Sequence, residues 1–162
     1  MLIIAPGARI SPLADIEEST RGSRVVVEDG VMIDAFVKIK FAGGNGDVVI
    51  GAGSYINSGC VLYSGNGIRI GANVLIAANC TLAATNHEYR DRTRPVREQG
   101  FRPSKGGIVI EDDVWIGANS VLLDGATLRR GCVVGAGSVV RHELPSYSIS
   151  VGAPAKTTRW RK

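Results

Sequence analysis

Isoleucine, leucine or valine returns at every sixth residue along most of this chain. The series runs Ile4, Ile10, Ile16; Val27, Ile33, Ile39; Ile50, Ile56, Leu62; Ile70, Ile76, Leu82; Ile110, Ile116, Leu122; and Leu128, Val134, Val140. A period of six matches neither an amphipathic helix nor a lone two-faced strand. It matches a coiled parallel β-structure in which each hexad forms one short side and sends one large apolar residue inward. The hexads come in threes. Each break in phase follows the third, at residues 22–26, 45–49, 68–69 and 88–109, and the break after Leu122 has zero length. Three sides per turn predicts an all-β triangular prism of about six coils over residues 1–144, with an extended loop at 88–109 and a short C-terminal tail at 145–162. At a strand spacing of about 4.8 Å the stack is roughly 29 Å tall. Insertions that recur at one point of the period emerge near one corner.

The residue four places after each large apolar position also faces inward and is expected to be small. Those places hold, among others, Ala8, Ala14, Val31, Val37, Gly43, Ser54, Cys60, Val74, Cys80, Val114, Ser120, Ala126, Cys132 and Ser138. All three cysteines therefore read as small buried hydrophobes rather than as nucleophiles or a disulfide. Their odd number and the lack of a C-x-x-C motif point to a reducing compartment. Glycine follows the large residue at Gly51, Gly71, Gly117 and Gly135, where a tight corner is expected to exploit its backbone freedom.

A chain of 162 residues makes one domain with apolar content enough for a continuous core. The start, MLIIAPGARI, has neither a basic leader nor a long apolar run, and no stretch approaches a membrane span. A cytoplasmic location is expected. With only two histidines, His87 and His142, a metal cluster built on several histidines is excluded, and no metal is expected to be required. Charge is uneven: residues 86–107 hold six basic and three acidic side chains, and residues 156–162 hold four basic and none acidic. Such patches suit a polyanionic small ligand as well as nucleic acid; equally, they could simply solvate a loop and a frayed tail.

The 22-residue break is far longer than the others, and long loops in compact domains are usually functional or disordered. His87 is the last residue of the hexad before it. A histidine anchored at the end of a rigid coil beside a flap suits a general base near neutral pH. A surface histidine that merely caps a loop is the bland alternative.

The hexads, the loop after Asn86-His87, Val114-Trp115-Ile116-Gly117, Val134-Gly135-Ala136-Gly137-Ser138 and the ending Gly152-Ala153-Pro154-Ala155 resemble the hexapeptide-repeat acyltransferases. Within them the chain is most similar to the maltose/galactoside O-acetyltransferases and to relatives that acetylate bacterial surface polysaccharides. The resemblance implies a left-handed β-helix, a homotrimer with its active sites between subunits, and acetyl-CoA as donor. It places the catalytic histidine at His87 and acceptor-binding asparagines at Asn57 and Asn86. Trp115, Ala118 and Ala136 match the wall along the pantetheine arm, and Arg141, Lys156 and Arg159 match positions near the CoA phosphates. His142 matches a family lysine and carries no expected catalytic role.

Relatives of the maltose/galactoside type begin with a helical segment, whereas this chain enters its hexads at once. Its N-H-x-Y loop and short start are similar to the surface-polysaccharide branch. A sugar hydroxyl in envelope glycan synthesis is therefore the expected acceptor, with no nucleic-acid partner and no membrane span. N-acetylation of a nucleotide-linked amino sugar, or a non-catalytic β-helical scaffold, are the alternatives. A β-helical carbonic anhydrase needs three zinc-binding histidines and is set aside.

Overall fold

The computed structural model describes all 162 residues. Every hexad becomes one strand and one corner, and the strands stack into three sheets that wall a triangular prism. The first sheet stacks Leu2–Ile4, Val25–Val27, Val48–Ile50, Ile68–Ile70, Ile108–Ile110, Thr127–Leu128 and Glu143–Leu144. Arg9–Ile10, Met32–Ile33, Tyr55–Ile56, Leu75–Ile76, Trp115–Ile116, Val133–Val134, Ser148–Gly152 and Ala155–Trp160 build the second. The third runs from Asp15–Ile16 through Lys38–Lys40, Val61–Tyr63, Thr81–Ala83 and Val121–Leu123 to Val139–Val140. All pairings are parallel except the last in the second sheet. This is a left-handed parallel β-helix, an exception to the right-handed crossover rule.

Register explains the period. Ile56, Ile76, Ile116 and Val134 lie one above another, as do Leu62, Leu82, Leu122 and Val140. Fifteen of the eighteen repeat positions are at most 2% exposed, inside one core of 30 buried residues. The other three, Ile4, Ile10 and Ile16, belong to the first coil, which has no coil beneath it.

The interior small positions behave as expected, with one refinement. Every serine among them, and two of the three cysteines, donates to a corner carbonyl, as in Ser54 Oγ to Gly71 (2.8 Å), Ser120 Oγ to Gly117 (2.7 Å), Cys60 Sγ to Ala77 (3.2 Å) and Cys80 Sγ to Gly117 (3.3 Å). The cysteines are unbridged and buried, and burial pushes the Cys132 thiol up to about 12. Gly43 departs from the pattern: it lies in an insertion with φ +76°, because the chain leaves the third sheet after Lys40.

The glycines do a different job from the one expected. Gly51, Gly71, Gly117 and Gly135 do not adopt positive φ; they lack a side chain because the next coil lies against them. A Cβ on Gly51 would sit 2.5 Å from the backbone of Gly71. The left-handed conformation occurs two residues later, at Gly53, Gly59, Gly131 and Gly137, and at Asn73, Asn79, Asp113 and Asn119. Asn and Asp tolerate that region better than other side chains. Gly137→Asn should therefore retain nearly wild-type stability, since nothing lies within 4 Å of its added Cβ. Gly51→Ala, crowded against backbone, should cost about 1–3 kcal/mol and lower the melting midpoint by several degrees. Thermal denaturation of the two variants checks both expectations.

Every insertion leaves at the corner between the third and first sheets, as the phase breaks required. Two boundaries move. The long loop ends at Gly107 rather than 109, because Ile108 and Val109 already pair with Ile68 and Arg69. The prism continues past residue 144 into an incomplete seventh coil: Ser148–Gly152 pairs with Val133–Val134, and Ala155–Trp160 folds back antiparallel on it. Residues 145–162 are thus largely sheet, and the buried Ser148, Ser150 and Ala155 close the end of the core. No helix is long and apolar enough to cross a membrane.

Candidate functional site

Thr81–Ala83 is the third side of the fourth coil, and the chain leaves the prism through Ala84, Thr85 and Asn86 to His87. There it forms a two-armed flap. His87 bridges Phe101 in antiparallel fashion, Glu88 N donates to Gly100 O (3.0 Å), and Arg102 N donates to Asn86 O (2.8 Å). A single 3₁₀ turn, Val96–Glu98, and the Gln99 amide, which donates to Asp91 O (2.8 Å) and Arg94 O (2.9 Å), knit the tip. The returning arm is pinned by Asp124, only 2% exposed, which accepts from the N–H groups of Lys105 and Gly107, each at 2.9 Å. The flap is built into the prism at both ends.

His87 is exposed, and its ring lies 4.6 Å from that of Phe101, tilted by 33°. Phe101 in turn rests over Gly43, where a Cβ would come within 2.8 Å of the phenyl ring. The imidazole makes no hydrogen bond to the protein. Glu88, its sequence neighbour, points elsewhere. The Arg90 guanidinium at 2.6 Å, together with the N–H groups of Tyr89 and Arg90, holds the Glu88 carboxyl down to about 2.

A cleft of about 420 Å³ opens beside His87. Asn86, Tyr89, Arg102, Pro103, Lys105, Leu123, Asp124 and Arg141 line the rest of it. Arg102 stacks its guanidinium 5.5 Å from the Tyr89 ring centre. The cleft descends from the fourth coil past Leu123 in the fifth to Arg141 beyond the sixth.

The other residues singled out in the sequence lie elsewhere on this chain. Trp115 is half exposed on the outer face of the second sheet, beside a groove of about 420 Å³ that also includes Leu75, Val133 and Arg161. Trp115, Val133, Ile149 and Arg159 follow one another across that sheet, and Lys156 lies on the same outer hairpin. Ala118 and Ala136 occupy neighbouring coils at the corner between the second and third sheets, where Gly137 N donates to Ala118 O (2.8 Å). Asn57 is at the same corner two coils away, and its amide donates to Ile76 O (2.8 Å). His142, past the last strand of the third sheet, lines no cleft.

The structure thus brings His87, Asn86 and Arg141 together. It places Trp115, Ala118, Ala136, Asn57, Lys156 and Arg159 on or beside the second sheet. Sequence reasoning missed Phe101, Arg102, Lys105 and Asp124 as individuals, although loop length and basic charge had marked the segment that holds three of them.

The family model for the bacterial transferase hexapeptide, described as six repeats, matches residues 107–142. The acetyl-CoA complex of the hexapeptide-repeat-containing acetyltransferase VCA0836 from Vibrio cholerae is 33% identical, with a TM-score of 0.70 over 82% of this chain and 68% of that one. A variant of AntD, an N-acyltransferase from Bacillus cereus, in complex with dTDP-4-amino-4,6-dideoxyglucose and coenzyme A, superposes with a TM-score of 0.83 at 25% identity, covering 98% of this chain and 83% of that chain. A probable acetyltransferase of Mycobacterium tuberculosis, Rv3034c, is 40% identical over 95 residues, which is 59% of this chain and 31% of that protein. Tetrahydropyridine-2,6-dicarboxylate N-acetyltransferases from Staphylococcus aureus match at 42% over 57 residues, 24% of their length. The chain therefore spans about a third or less of the curated relatives it matches.

Proposed function

Because this chain belongs to the hexapeptide-repeat acetyltransferase family, we propose that it transfers an acetyl group from acetyl-CoA to a sugar hydroxyl, with His87 as general base. The observation that carries this reading is an imidazole with no hydrogen-bond partner in the protein, held at the mouth of a cleft by a flap that is tied down at both ends. A histidine in that setting can exchange a proton with a ligand instead of sustaining the fold.

The chemistry balances without a covalent enzyme intermediate. One nitrogen of His87 accepts the hydroxyl proton as the acceptor oxygen attacks the thioester carbonyl carbon. The tetrahedral intermediate collapses, the C–S bond breaks, and the imidazolium returns the proton to the departing sulfur, giving the acetyl ester and CoA–SH. No cysteine lies in the flap to form an acyl-enzyme, and the three present are buried in the core.

The same geometry supports an assembly with shared sites. In one prism the corner that carries His87 is opposite the second sheet, where Trp115, Lys156 and Arg159 lie. A donor that runs along Trp115 and reaches His87 needs the second sheet of another copy to face this flap. That sheet carries an outward apolar row of Met32, Tyr55, Leu75 and Trp115, suited to such a contact. We read the active unit as a homotrimer with sites between subunits, working in the cytoplasm on a surface-polysaccharide precursor. A nitrogen acceptor is the second reading, favoured by the AntD likeness; the same His87 then accepts a proton from the attacking amine.

Acetyl-CoA turnover with a panel of sugar hydroxyls and amino sugars, read as thiol release and as product mass, tests the proposal. Lys156 and Arg159 are exposed and without carboxylate partners, whereas the neighbouring Arg161 is bound to Asp113 at 2.9 Å. If the free pair meets CoA phosphates, contacts of about 1.5–3 kcal/mol are lost in Lys156→Gln/Arg159→Gln. The Michaelis constant for acetyl-CoA should then rise about tenfold or more, with that for the acceptor unchanged. A change confined to the acceptor constant would assign the hairpin to the other substrate.

A further inference from the structure

The charge of the His87 cleft is unbalanced, and two of its three cations stand on the flap. Arg102 and Lys105 both line the cleft on the returning arm, Arg102 as the cross-strand neighbour of Asn86 and so directly beside His87. Neither side chain has a carboxylate partner, although elsewhere on the flap Arg90 is paired with Glu88 and Arg94 donates to Glu98 O. The cleft contains one carboxylate, Asp124, and its two oxygens are occupied by backbone N–H groups. Three cations, Arg102, Lys105 and Arg141, against that one carboxylate leave the concave site net positive and focus a positive field on whatever sits against His87. The Arg102 guanidinium, 5.5 Å over the Tyr89 ring centre, carries a fork of donors suited to the paired oxygens of a phosphate or carboxylate.

We propose that the acceptor is an anion, a sugar carrying a phosphate or carboxylate close to the group that is acetylated, and that Arg102 and Lys105 recognise this charge. The proposal rests on the acetyltransferase reading above. The CoA phosphates are a poor match for these two residues. When the thioester carbonyl is at His87, the whole pantetheine arm separates it from those phosphates, whereas Arg102 is one strand away. Arg102 and Lys105, on the flap beside His87, thus select the acceptor and leave the donor to Arg141 at the far end of the cleft and to the second-sheet face.

Calorimetry on the full chain, first titrated with CoA and then held saturated with it, separates the two ideas. The probes are a hexose 1-phosphate, the matching uronic acid and the matching neutral methyl glycoside. At least one anionic sugar should bind about tenfold or more tightly than the neutral one, and the preference should shrink as salt is raised. The phosphate and uronate arms identify which anion is meant. Arg102→Gln and Lys105→Gln should each weaken anionic binding by about tenfold while leaving CoA affinity and the melting curve nearly unchanged, since Lys105 is exposed and Arg102 is half-buried outside the core. Equal binding of anionic and neutral sugars, or variants that weaken CoA instead, would overturn the proposal and leave the acetyltransferase reading standing. Failure of the wild-type protein to bind CoA at all would remove that reading itself.

Discussion

His87→Ala is expected to lower kcat by about 10²–10⁴-fold, the range that positioned proton transfer supplies. Affinity for CoA and the melting temperature should stay nearly unchanged. The reason is visible in the geometry: the ring is exposed, makes no hydrogen bond to the protein, and lies against Phe101 across the flap. A residue so lightly embedded can be removed without reaching the core. His142→Ala, on the same chain but lining no cleft, should be close to wild type. Steady-state kinetics with acetyl-CoA and a working acceptor, alongside calorimetry and thermal denaturation, checks all three. Equal losses in the two variants, or full activity in His87→Ala, would mean that the proton goes elsewhere.

The prism was legible because its cause is local and repeated. One large apolar residue per side, stacked on its equivalent in the next coil, imposes a period that survives in the sequence even across the 20-residue excursion from His87 to Ile108. Corners were read less well. Gly51 and Gly53 look alike in sequence, yet the first is glycine because Gly71 crowds it and the second because its φ is +68°. Only the neighbouring coil distinguishes those reasons. The seventh coil was missed because Leu144 falls out of the six-residue phase and the next inward positions, Ser148 and Ser150, are too polar to extend the isoleucine pattern. His87 stood out by its place at the end of a hexad. Its surroundings did not, because Phe101, Arg102 and Lys105 come from the far arm of a flap whose pairing no periodicity announces. Asp124 acts by accepting two backbone N–H groups across 17 and 19 residues, a capping role that composition cannot reveal.

Ile116→Asp should abolish the folded state, while Trp115→Asp, one residue earlier, should leave it. The two side chains point to opposite faces of a two-residue strand: Ile116 is wholly buried, and Trp115 is 50% exposed. Ile116 stacks between Ile76 and Val134, with no polar group other than corner hydrogen bonds already in use nearby. A carboxylate there would lose its hydration without gaining a partner. That penalty is at least several kcal/mol in practice, comparable to the whole stability of an ordinary domain at about 5–15 kcal/mol. Ile116→Val, which removes one methyl and keeps the shape, should cost only about 0.5–1.5 kcal/mol. Circular dichroism and size exclusion distinguish the three outcomes: a lost or aggregated fold for Ile116→Asp, a slightly lowered midpoint for Ile116→Val, and a retained β-helix for Trp115→Asp. Native-like melting of Ile116→Asp would mean that the repeat residues do not face the interior in this register. Unfolding of Trp115→Asp would show instead that the outer face of the second sheet is needed for the fold itself, and not only for contacts made beyond it.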